Sequence, residues 1–290
     1  MAQQSLHQSK LKGLHSIFPR PEVTDRSAFA PGIEISPSLD LLVFSGITAY
    51  PPDVDPWNPG TFQVPQDPAA RSKLATENLD RLLKAAGATW EHIVFNVNYT
   101  APPGGGNIDF GAQYGDWRPC STTLRVKDTG VPGANVLYQI TATAPHREPS
   151  ARGPVAGIEP IFHRPGVSLK ELPQAPAIRV TSAVDMVYFP AVTAYPIDVD
   201  PWNRGSYTLP DDLATQERMV ADNIDRMLKA AGVGWQHIVL MARTGEVNRV
   251  AAMQERMGDW RPCRTTRAVS TGIPGARIMC EITAVAPRRP

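Results

Sequence analysis

The sequence predicts an α+β chain built twice, two domains in tandem, each a mixed β-sheet with helices packed on one face. Three observations predict it. Tyr50-Pro51 followed by Asp53-Val54-Asp55-Pro56-Trp57-Asn58 recurs 145 residues later as Tyr195-Pro196 followed by Asp198-Val199-Asp200-Pro201-Trp202-Asn203. In each copy, short β-prone runs flank one long stretch with apolar residues at helical spacing. The length, 290 residues, suits two compact domains, and the period is too long for a solenoid unit.

The elements follow in the same order in both copies. Leu39 to Phe44 and Asp185 to Phe189 are apolar runs read as strands. A Pro- and Asp-rich loop with the Asp-Pro-Trp-Asn segment comes next. Ala69 to Ala86 and Leu213 to Ala231 carry apolar residues at helical spacing, such as Leu79, Leu82, Leu83 and Ala86, and stop at Gly87 and Gly232. Ile93 to Tyr99 and Ile238 to Ala242 are the following strands. After a second, short helix, Ala134 to Ala144 and Ala276 to Ala286 close each copy as strands rich in β-branched residues. Gly104-Gly105-Gly106, in a copy-one insertion, reads as a flexible loop.

These patterns divide the chain into an N-terminal arm (1–31), a first domain (32–147), an ordered connector (148–176) and a second domain (177–290). The connector carries Ile158, Ile161 and Phe162, which a solvated linker would not need. Net charge is +1 with no basic stripe, which argues against a nucleic-acid partner. No apolar run is long enough for a membrane span or signal segment. Cys120, Cys263 and Cys280 are too few and too scattered for a disulfide framework or a Cys-rich zinc site, so a reduced, cytoplasmic location is expected.

The succession Ser45-Gly46, Glu77-Asn78-Leu79 through Ala86-Gly87, Ile93-Val94, Arg118-Pro119-Cys120-Ser121-Thr122-Thr123 and Tyr138-Gln139-Ile140-Thr141-Ala142 resembles the Rid family, also called YjgF/YER057c/UK114. The second copy repeats it with Arg264 in the Pro262 to Thr266 segment. The resemblance implies two chorismate-mutase-like domains that assemble in trimer-like rings, with small-molecule sites between neighbouring domains. Two domains do not close a threefold ring, so a homo-oligomer is expected, three tandem chains being the simplest count. It also implies a cofactor-independent, metal-free hydrolase that deaminates a small carboxylated imine or enamine, 2-iminobutanoate- or 2-aminomuconate-like. A divergent hydrolase or lyase on an aromatic or unsaturated acid, and a non-catalytic metabolite-binding module, are the alternatives.

Carried over by position, the family's carboxylate-binding arginine falls on Arg264 in copy two and on Ser121 in copy one. A guanidinium grips a carboxylate through two charge-assisted hydrogen bonds, which a serine cannot replace. The family's water-positioning glutamate falls on Thr141 and Thr283, and threonine is no general base near neutral pH. Glu281, two positions earlier and on the same strand face, is the reserve base or else an ion-pair partner of Arg277 or Arg264. The small turn is Ser45-Gly46 in copy one and Pro190-Ala191 in copy two, so a cleft where the copies meet would combine Ser45-Gly46 with Arg264. Trp57 and Trp202 either line a cleft for a planar ligand or are pinned against the sheet. Asp53, Asp55, Asp198 and Asp200 lack the loop of a calcium site. His92 and His237 read as capping or core residues, Trp117-Arg118 and Trp260-Arg261 as structural pairs, and Cys120 and Cys263 as packing residues.

Overall fold

The computed structural model describes residues 11–18, 29–102, 111–148, 153–246 and 251–288. The Gly104-Gly105-Gly106 loop lies outside the described residues. Among them the strands are β1 (Leu14–Ile17), β2 (Gly32–Ile35), β3 (Leu39–Phe44), β4 (Ile93–Thr100), β5 (Cys120–Arg125), β6 (Val136–Pro145), β7 (Ile158–Ile161), β8 (Ala177–Val180), β9 (Val184–Val192), β10 (Ile238–Gly245), β11 (Cys263–Arg267) and β12 (Ile278–Pro287). The α-helices are α1 (Pro68–Ala85), α2 (Gly111–Tyr114), α3 (Leu213–Ala230) and α4 (Ala251–Met257).

The two copies share one topology. Copy one runs β5-β4-β6-β3 across its sheet and copy two runs β11-β10-β12-β9. In both, one parallel pair (β4 with β5, β10 with β11) joins antiparallel neighbours, giving the mixed sheet that the sequence predicts. One long helix packs on each sheet. Leu79, Leu82 and Leu83 of α1 join Phe44, Ile93 and Ile140 in one core, and Val220, Ile224 and Leu228 of α3 join Ile238, Met241 and Ile282 in the other.

Each helix begins and ends for a local reason. Asp67 and Asp212 cap α1 and α3 by accepting from the backbone N–H three residues on, at 2.8 and 2.7 Å. Both helices stop where a glycine takes a left-handed φ, +69° at Gly87 and +72° at Gly232.

Residues common to both copies serve the shared scaffold. Asn78 donates from α1 to the carbonyls of Thr48 and Tyr50 (3.0 and 2.7 Å), and Asn223 donates from α3 to those of Thr193 and Tyr195 (2.9 and 2.7 Å). They pin the start of the Asp-Pro-Trp-Asn loops. Trp117 and Trp260 are buried, and their indole N–H groups donate to the carbonyls of Ile93 and Ile238. Nδ1 of His92 accepts from Thr89 N at 3.3 Å and that of His237 from Gly234 N at 3.0 Å, a capping role. Arg118 and Arg261 bond the carbonyls of their own turns.

The copies are not separate bodies. β8, which opens the second copy in sequence, pairs antiparallel with β3 of the first, so the copy-one sheet continues as β5-β4-β6-β3-β8-β7. β7 comes from the connector segment and pairs with β8. Buried Arg179 on β8 reaches Asp40 on β3 at 2.7 Å. A third core spans the join, with Val43 of copy one beside Ile158, Ile178, Val239, Trp260 and Val285. The predicted N-terminal arm contributes β1, which pairs with β2 in a separate two-stranded sheet.

Candidate functional site

The end of β3 and the start of β11 meet at the join between the copies. Gly46 N donates to the carbonyl of Arg264 at 2.8 Å, and Arg264 N donates to Ser45 Oγ at 3.0 Å. Ser45 also donates through Oγ to Ala175 O at 2.5 Å and through its N–H to Pro176 O at 3.0 Å. Its hydroxyl is therefore occupied as a stitch, with β11 on one side and the connector on the other. A Cβ at Gly46 would lie 3.0 to 3.2 Å from three side-chain atoms of Leu137, so a larger residue there requires Leu137 to shift by a few tenths of an ångström. Beside this turn, a small groove with a cavity volume of about 40 Å³ is lined by Ser45, Gly46, Thr48, Tyr50, Asn78 and Gln174.

Register fixes where the candidate side chains point. Neighbours across a ladder share a face of the sheet. Arg264 lies opposite Met241, which lies opposite Ile282, and both of those belong to the core under α3 and α4. The Arg264 side chain runs to α4, where Nη2 donates to Gln254 Oε1 at 3.1 Å and approaches Met257 Sδ at 3.7 Å. Its Nε is buried without a partner. Glu281 lies opposite Ala242 and Thr283 opposite Leu240, on the other face. The structure thus brings Ser45, Gly46 and the Arg264 backbone together, and sets Glu281 and Thr283 away from the Arg264 guanidinium.

Glu281 has its own partner. Arg267 donates to its carboxylate at 2.6 Å and lies over the Tyr99 ring of copy one, 5.3 Å from the centroid. The sequence offered Arg277 or Arg264 as the partner of Glu281. Arg277 is instead committed to Glu246. Arg267 was overlooked because its distance along β11 gives no hint that the two chains of side groups converge.

The electrostatics around Arg264 are those of a cation in a dry place. Burial pulls its pKa down to about 10, with the charges of Arg243 and Arg261 adding to the effect. Buried Arg243 faces Glu217 of α3 at 3.5 Å, and burial pushes the Glu217 carboxyl up against the opposing pull of Arg243. The Cys280 thiol, opposite Arg243 on β12, is pushed up to about 11 by burial. Two guanidinium groups and one carboxylate therefore share this interior. Arg243, Glu217 and Gln254 were missed in the sequence. The signal was present for two of them: where copy two has Arg243 and Glu217, copy one has Asn98 and Ser72.

The remaining candidates lie elsewhere. Ser121, on the edge strand β5, is half-buried and stands beside Asn96 in register. Trp57 is 38% exposed and Trp202 70% exposed. Asp53 pairs with His163 and Arg164 of the connector, while Asp55 and Asp200 accept from the N–H of Trp57 and Trp202. Cys263 is buried, its Sγ 3.2 Å from Val43 O, and burial raises its pKa. No helix among the described residues is long and apolar enough to cross a membrane.

No protein-family model matches the chain, and no curated protein does. Solved structures of the Rid family are similar to parts of it. A conserved Rid-family protein from Yersinia pestis is 22% identical, covers 46% of this chain and 99% of its own, and has a TM-score of 0.37. RidA from an Antarctic Psychrobacter is 16% identical over 48% of this chain and 94% of its own (TM-score 0.29), and Escherichia coli TdcF with bound serine is 20% identical over 48% and 94% (TM-score 0.28). Each of these structures spans about half of this chain.

Proposed function

We propose that this chain is a tandem Rid-type protein whose join between copies holds a small carboxylated metabolite, and that it deaminates an imine or enamine by hydrolysis. One observation carries the reading. Arg264 is a half-buried, charged guanidinium with a buried, unpartnered Nε, on the strand whose backbone is stitched to Ser45-Gly46, two of the residues that line the groove. A carboxylate exchanged for the weak Met257 contact would form charge-assisted bonds in a low-dielectric setting, where they are strongest. In the reaction, water adds to the C=N carbon, its protons pass to nitrogen, and ammonia leaves as the carbonyl forms. The chemistry needs neither cofactor nor metal.

Metabolite binding without turnover is the second reading, favoured by the same geometry. The carboxylate on the Arg264 face is Glu217, already engaged by Arg243, while Glu281 and Thr283 serve the opposite face. Ammonia release from enzymatically generated 2-iminobutyrate separates the two. Arg264→Ala is expected to abolish release and to weaken binding of the keto acid product about tenfold or more, the loss of roughly 1.5–3 kcal/mol for a hydrogen-bonded charge. Arg264→Lys should recover part of the binding. Because Arg264 is charged below about pH 10, binding should hold through neutral pH and fall as pH rises through that value. Unchanged release and affinity in Arg264→Ala would reject both readings; saturable binding without ammonia would leave the second.

A further inference from the structure

The repeat places the same docking strand and the same receiving strand in the chain twice, but only one of the two pairs is joined. β8 packs with β7 and covers β3. Its twin β2 packs with β1 in the same register: Leu14 stands opposite Ile35 as Ile158 stands opposite Val180, and Ile17 opposite Gly32 as Ile161 opposite Ala177. Both pairs sit on their own domains in the same way. Leu14 clusters with Leu39, Val94 and Trp117, as Ile158 clusters with Val184, Val239 and Trp260. Ala30 N bonds Pro119 O at 3.2 Å, as Ala175 N bonds Pro262 O at 3.3 Å.

Burial shows what is missing. β3 is almost wholly buried and β8 entirely so. Their twins β9 and β2, similarly apolar, are partly exposed, with Tyr188 72% exposed and Ile35 39%. Among the described residues β9 is the edge of its sheet and the outer side of β2 is unpaired. Cys263, whose Sγ lies on Val43 O across the formed join, is fully buried, whereas its twin Cys120 is half-buried. An open apolar edge is a template for another strand.

We infer that β2 of one chain docks on β9 of a second copy of this chain, reproducing between chains the β8–β3 join made within each. Transfer of the observed register puts Gly32 opposite Phe189, Ile33 opposite Tyr188, Glu34 opposite Val187 and Ile35 opposite Met186. The charges differ between the two joins. Within the chain, docking-strand Arg179 meets Asp40; between chains, docking-strand Glu34 comes up to Asp185, the twin of Asp40, and Arg288, 3.6 Å from Asp185, is the cation that would offset the two carboxylates. The contact is head to tail, one donor and one acceptor strand per chain.

The second join is also the weaker one. Pro190 stands where Ser45 stands and has no N–H, so the bonds that Ser45 makes to Pro176 O, to Ala175 O and from Arg264 N have no counterpart. This association does not depend on the chemistry proposed above, and its test involves no substrate. In a Cys120→Ser background, chains carrying Tyr188→Cys and chains carrying Ile33→Cys are mixed and mildly oxidised. A disulfide-linked pair of unlike chains is expected, because Cα partners in a ladder lie within disulfide reach. Ile35→Cys in place of Ile33→Cys should give little product, the diagonal partner lying about 7–8 Å away. Light scattering of the unmodified chain should show a mass above one chain. A single-chain mass, or equal cross-linking in and out of register, would overturn the inference.

Discussion

Asp40→Ala is expected to destabilise the folded chain by about 3–5 kcal/mol, the usual result of stripping one partner from a buried ion pair. Asp40 is 0% exposed and sits under four donors: Arg179 Nη1 at 2.7 Å, the His146 ring at 2.7 Å, and the N–H groups of Arg147 and Ser182 at 3.2 Å each. Alanine would leave the Arg179 guanidinium inside the protein with only the carbonyls of Ala86 and Pro145. The cost is that of an orphaned charge, so Asp40→Leu combined with Arg179→Met should recover most of it. Urea unfolding measures both variants. By contrast, breaking the Lys84–Asp80 pair on exposed α1 should cost below about 1 kcal/mol. If Asp40→Ala behaved like the surface pair, the Arg179–Asp40 contact would not hold the β8–β3 join.

Trp260→Ala is expected to cost a further class of stability, about 3–5 kcal/mol from lost transfer energy and the cavity left behind. Trp260 packs where Val43 of copy one, the β7–β8 pair and the copy-two sheet converge, and its indole N–H satisfies the Ile238 carbonyl at 2.8 Å. Its loss should therefore lower the urea midpoint of the whole chain in one transition. A separate, second transition confined to copy two would contradict that. Trp260→Phe should recover most of the packing, while the unpaired carbonyl still costs roughly 1–3 kcal/mol.

Local structure and the meeting of the copies were legible because their signals are short-range or doubled. The helix stops at Gly87 and Gly232 follow from φ alone, and the complementary losses at Ser45-Gly46 and Arg264 follow from reading twin against twin. The direction of the side chains was not legible. Glu281 and Arg264 are both polar residues on neighbouring elements, and only the ladder through Met241 and Ala242 shows that they face opposite ways. Nor was strand pairing. β8 follows the connector and precedes β9 at hairpin distance, so sequence proximity favours β9 as its partner, yet the Asp40–Arg179 pair and the apolar face of β3 hold it in the other copy. Trp202 shows the converse: tryptophan is usually well buried, yet this one stands 70% exposed on its loop, a placement that sequence alone left open between two alternatives.

The crossing of β8 also bears on how this gene could be cut. A boundary drawn at the repeat period, before Ala177, would leave the first half with β3 as a raw, apolar sheet edge and Asp40 without its guanidinium. A boundary moved past Val180 would mend the first half but strip the second of the strand pair that covers Trp260. Neither half can be produced whole, so the length of chain that was copied and the length that can fold alone are different quantities.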